Sequence, residues 1–116
     1  MRYRRTERVG ELLVQEISQI LNEKAKDPRI GFVTILRVEA SPDLKSARVF
    51  VSIMENDQRT AETLTALEHA APFIQHEIGQ RLELKFIPRL RFIHDRSIQH
   101  YERIQELLDK QTTDSE

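Results

Sequence analysis

The stretch from Thr60 to Ser97 constrains this chain most, because it reads as helix, break, helix, strand. Leu64, Leu67, Ala70 and Ala71 recur at helical spacing and give one apolar face. Pro72 then interrupts, since it donates no backbone N–H and its ring disfavours the helical conformation at Ala71. Phe73, Ile74, Ile78 and Leu82 resume the period beyond it. Leu84–Ile87 and Leu90–Ile93 alternate apolar with charged or mixed residues, which predicts a strand, with Pro88 at an edge or bulge inside it. Two helices meeting at a kink and feeding a basic strand predict a groove with positive charge on its lip, placed to meet RNA.

Upstream, Val9, Leu12, Leu13, Ile17, Ile20 and Leu21 form an apolar stripe over a helix at 5–25, stopped by Asp27-Pro28. Residues 32–39 are rich in β-branched side chains and predict a strand. Ser41-Pro42-Asp43 is turn chemistry. A second strand follows, with Ala47, Val49, Val51 and Ile53 on one face and Arg48, Phe50 and Ser52 on the other, so the two strands form a hairpin. Asp57 and Thr60 both qualify as N-cap of the next helix. Ile98, Tyr101, Ile104, Leu107 and Leu108 predict a short C-terminal helix, with Ser97 as its cap. The expected architecture is a single α+β domain over residues 1–110, with 111–116 as a flexible polar tail.

Net charge is −1, which by itself says nothing for nucleic acid. Its distribution is uneven. Arg2, Arg4, Arg5 and Arg8 against Glu7 leave residues 1–8 at +3. Arg81, Lys85, Arg89, Arg91 and Arg96 against Glu83 and Asp95 leave residues 81–96 at +3 as well. The acidic excess lies in 9–80 and in the tail. Two basic segments can orient a chain of neutral total charge on a phosphate backbone. Arg4, Arg5 and Arg8 gather on one side of a helix start, where the dipole prefers anions, so an external anion is the expected partner there.

The absence of cysteine excludes disulfides and thiolate chemistry and fits a reducing compartment. The longest apolar cluster near the start, Leu12-Leu13-Val14, is too short for a signal peptide or membrane span, so a soluble cytoplasmic chain is expected. His69, His76, His94 and His100 occur without a zinc motif, and Gly10, Gly31 and Gly79 build neither a nucleophile elbow nor a phosphate loop. The expectation is a non-enzyme without cofactor, metal or small-molecule substrate. Phe73, Phe86 and Phe92 read as packing residues rather than stacking platforms. These features alone leave two readings standing: an RNA-binding module, and a small α+β adaptor whose basic segments meet an acidic protein.

The order helix, strand, strand, helix-kink-helix, strand resembles the type II KH domain, with helices on one face of a three-stranded sheet. Arg5–Leu13, Lys26–Ile35, Ser41–Leu44, Ile87–Phe92, Asp95–Ile98 and Arg103-Ile104 together resemble the ribosome-binding factor A family over about Arg5 to Leu108. The resemblance implies a non-catalytic, monomeric factor that binds 16S rRNA on free, immature small ribosomal subunits. It further implies support of late 16S rRNA maturation, including 5′-end processing, with most importance in the cold. The family replaces the usual KH backbone clamp with a kink at an Ala-x-Gly triplet, aligned here with Ala70-Ala71-Pro72. Proline still breaks a helix, but fixes φ at about −65° and removes a donor. Tyr101 and Gln75 stand where the family often has glycine and arginine. The candidate rRNA contacts are Arg2, Arg4, Arg5, Arg8, Gln75, Arg81, Lys85, Arg89, Arg91 and Arg96, with Ala70, Ala71 and Pro72 at the kink.

Overall fold

The computed structural model describes residues 5–23, 30, 33–97 and 103–109. Its elements are α1 (Arg5–Glu23), β1 (Val33–Ala40), β2 (Ser46–Ile53), α2 (Asp57–Arg81) and β3 (Arg89–His94), followed by a helical stretch at 103–109. Val9, Leu13, Ile17 and Ile20 are the buried stripe of α1, as their spacing predicts, while Leu12 stays exposed.

The sheet runs β1-β2-β3, with β2 antiparallel to β1 and parallel to β3. The parallel pair needs a long crossover, which α2 supplies. Both helices lie on one face: α1 packs on β1, α2 on β3, and the helices touch each other. Between them and the sheet Leu13, Ile17, Leu67, Ile74, Ile78, Val49, Val51 and Phe92 form one apolar cluster. This is the expected α+β arrangement, and among the described residues the opposite face of the sheet is open, with Arg37, Glu39, Arg48 and Arg91 exposed on it.

Four details differ from expectation. α2 is one helix, unbroken at Pro72. Thr60, Thr63, Leu67, Ala71, Ile74 and Ile78 make a single buried seam that passes the proline without a change of phase, and that tertiary packing outweighs the local penalty. Pro72 and Glu68 are both exposed, so the carbonyl that loses its donor lies on the solvent side. Its N-cap is Asn56, whose side chain accepts from the Arg59 N–H at 2.8 Å, rather than Asp57 or Thr60.

Residues 84–87 are irregular rather than strand, and the buried Pro88 precedes β3 instead of lying inside it. The missing N–H of proline and the restriction it places on Ile87 delay the ladder to Arg89. Finally, β1 carries a bulge: Ile35 pairs with Val51 but Arg37 with Phe50, leaving Leu36 extra. Ile35 and Val38 therefore both face the core. The expected cap Ser97 is exposed, but residues 98–102, with Ile98 and Tyr101, lie outside the described residues, as do residue 110 and the expected tail at 111–116. Ile104, Leu107 and Leu108 are all exposed.

Candidate nucleic-acid interface

The hairpin loop is built by its own side chains. The Leu44 N–H donates to the Ser41 carbonyl at 2.8 Å, closing a turn with proline at its second position. The Asp43 carboxylate accepts from the Ser41 hydroxyl at 2.6 Å and from the Lys45 N–H at 3.0 Å, and these bonds, the hydroxyl's first, hold its pKa below the usual value. Leu44 takes a left-handed φ of 61° while packing on the core. These bonds shape the loop that leads into Lys45.

Beside it lies a cleft of about 270 Å³, lined by Arg5 of α1, Pro42 and Asp43 of the hairpin loop, and Glu83, Lys85 and Phe86 of the segment before β3. Phe86 is 39% exposed, with the Lys45 ammonium 4.9 Å and the Lys85 ammonium 5.5 Å from its ring centre. The Arg89 N–H donates to the Lys45 carbonyl at 2.9 Å and ties loop to strand. The fold thus brings Arg5, from the first basic segment, to Lys85, from the second, across 80 residues of sequence.

Other candidates are engaged inside the fold. Arg81 reaches Glu16 at 3.6 Å and Glu23 at 3.4 Å, fastening the end of α2 to α1. The Gln75 side-chain oxygen accepts from the Leu90 N–H at 3.0 Å, satisfying a main-chain donor of β3. Arg96 lies 3.8 Å from Asp57, both exposed. Arg8 is exposed but lines a separate shallow hollow with Glu11, Leu12 and Gln15, so Arg5 and Arg8 do not share one. Arg2 and Arg4 lie outside the described residues. Phe92 is core, but Phe73 and Phe86 are exposed, against the packing role expected for them. Unbroken, α2 carries both His69 and His76 exposed, yet among the described residues no group of three His, Cys, Asp or Glu is placed to hold a metal ion.

The family model described as ribosome-binding factor A matches residues 5–108. The chain belongs to the ribosome-binding factor A family. A ribosome-binding factor A from Nitrosococcus oceani is 44% identical over 108 residues, 93% of this chain and 85% of the relative. The crystal structure of ribosome-binding factor A from Thermus thermophilus shares the fold at a TM-score of 0.70, with 22% identity over 79% of this chain and 98% of that one. A homology model of the Thermus thermophilus protein, fitted into a cryo-EM map of a 30S–RbfA complex, matches at a TM-score of 0.56 with 24% identity, covering 78% and 90% of the two chains.

In this member of the ribosome-binding factor A family the triplet Ala70-Ala71-Pro72 lies within α2, with Ala71 buried and Pro72 exposed. Three cations escaped the sequence reading. Lys45 lies over the Phe86 ring that borders the cleft, and Arg37 and Arg48 join Arg91 on the open face of the sheet. Charge summed over residues 9–80 hid them beneath helix-borne carboxylates. The strand alternation that sets Arg48 opposite Val49 and Val51 was the available signal.

Among the described residues, no helix is long and apolar enough to cross a membrane.

Proposed function

We propose that this chain is an assembly factor that binds the small ribosomal subunit and acts without catalysis. The observation that carries the reading is the convergence of Arg5 and Lys85 on one cleft, with the Lys45 ammonium over its Phe86 ring, within a family match spanning residues 5–108. Phosphates of 16S rRNA are the partner those cations fit, since their contacts need position and charge rather than base identity. Bound as a monomer in the cytoplasm to free, immature particles, the protein holds rRNA helices in one arrangement while other parts mature, including the 5′ end of 16S rRNA, and leaves afterwards. The slow refolding of RNA in the cold makes that support most valuable there.

Co-sedimentation with purified immature and mature small subunits at two salt concentrations tests the reading. Wild-type protein pellets preferentially with immature particles and less so at high salt, and the Arg5→Glu/Lys85→Glu variant pellets weakly at either. If wild-type protein stays in the supernatant at low salt, the reading fails.

A further inference from the structure

The open face of the sheet carries a second basic surface. Across the register, Arg37 lies beside Phe50 and Phe50 beside Ile93, while in the next row Glu39 lies beside Arg48 and Arg48 beside Arg91. Arg89 follows opposite Ser46. Ile35, Val38, Val49, Val51, Leu90 and Phe92 point to the helices, so these arginines all point away from them. The carboxylates on this surface are Glu39, 2.7 Å from Arg48 and 3.4 Å from Arg37, and Asp95 at its end, 3.1 Å from Arg37. Arg89 and Arg91 have no ion-pair partner among the described residues. Arg48 and Arg91 are cross-strand neighbours of like charge, an unfavourable pairing that Glu39 offsets from the Arg48 side only, so a further anion over Arg91 would relieve it.

We propose that this face grips an RNA phosphate backbone, with Arg48 and Arg91 at its centre and Arg37 and Arg89 flanking them. The inference rests on the RNA-binding reading above and extends it to a surface on the far side of the sheet from the helices. Alternate residues along a strand recur at about 6.7 Å and neighbouring strands at about 4.8 Å, so the strand positions that carry these arginines are spaced on the scale of successive phosphates. An acidic protein fits less well. Protein interfaces are depleted of charge at their centre and anchored by aromatic or aliphatic groups. Here the centre is charged, and the ring of Phe50 is already covered by Arg37 at 3.9 Å, with Arg48 at 5.7 Å. Capped in that way, Phe50 holds the arginines in place and offers no bare platform for a base, so the contact is independent of sequence. Lys45, bonded through its carbonyl to Arg89, stands at the corner where this face meets the cleft. One strand of RNA can follow both surfaces.

The test compares wild-type protein with Arg48→Glu/Arg91→Glu and with Arg48→Lys/Arg91→Lys, each checked for native circular dichroism and melting. Fluorescence anisotropy reads binding to a short labelled RNA hairpin across a salt series, and co-sedimentation reads binding to immature small subunits. The expected result is a loss of hairpin affinity of about tenfold or more in the glutamate variant, with a salt dependence shallower by about 2 in logarithmic slope. The lysine variant stays near wild type, so a variant that merely misfolds is recognised by its melting curve and the lysine pair decides. Unchanged hairpin affinity in the folded glutamate variant overturns the proposal. Unchanged hairpin binding with lost subunit binding also overturns it, because the face then meets a protein. Hairpin binding that depends on Arg48 and Arg91, in a protein that never pellets with subunits, upholds this inference while the assembly-factor reading falls.

Discussion

Gly10 of α1 lies directly against the main chain of β1: a β-carbon built on it would sit 2.4 Å from the Val38 carbonyl oxygen. No side chain can occupy that space without moving the helix. Gly10→Ala should therefore destabilise the protein by about 1–3 kcal/mol through overpacking, outweighing the gain of about 1 kcal/mol that alanine brings to an isolated helix. Urea unfolding measures the balance, and a variant as stable as wild type would show that α1 can lift off β1 freely.

The Gln75–Leu90 hydrogen bond is the next lever. Gln75→Ala leaves the N–H of the buried Leu90 without its acceptor and should cost about 1–3 kcal/mol, whereas Gln75→Glu keeps an acceptor and should cost less. Amide exchange at Leu90 reads the bond directly and should accelerate in the alanine variant.

Pro72→Ala restores the main-chain donor missing from the middle of α2. Proline in a helix interior is worse than alanine by about 3 kcal/mol, so the substitution should raise the melting temperature without changing the fold. A fall in stability would mean that the seam from Thr60 to Ile78 requires the local bend proline imposes.

His94 sets the pH dependence near neutrality. Its Nε2 is buried with no hydrogen-bond partner among the described residues, and burial first, then the Arg96 charge, lower its pKa from the ordinary 6.5, against weaker opposing effects of Asp95, Asp57 and the Ile53 carbonyl. The unfolded chain then binds the proton more readily than the folded one. The stability contribution is complete above about pH 6.5 and is lost as pH falls below it. Asp95, held down to about 2 by Ser97 and Arg37, acts in the same direction but only below about pH 4. Melting temperatures from pH 7.5 to 5 should fall in wild-type protein, and fall less in His94→Asn.

The order of elements was legible because helical and strand periods are written plainly in residues such as Leu13, Ile17, Val49 and Val51. Pro72 misled because a local rule was applied to a helix whose buried seam is long enough to override it. Arg5 and Lys85 were readable as cations, but not as neighbours, since a tertiary arrangement of three segments joins them. Gln75 and Arg81 looked free for the same reason: the Leu90 N–H and the carboxylates of Glu16 and Glu23 that occupy them are distant in sequence. Arg37 was lost to a one-residue irregularity that strand alternation does not announce.

That irregularity has a wider effect. Before Leu36, the odd-numbered residues of β1 face the core. After it, the even-numbered ones do. Leu36 acts on the strand as an inserted base acts on a reading frame, and everything downstream is read in the other phase. In the original phase Arg37 and Glu39 would be driven under the helices and Val38 turned out to water. With the shift, charge and grease exchange sides, and the sheet acquires its two unlike faces from a single supernumerary residue.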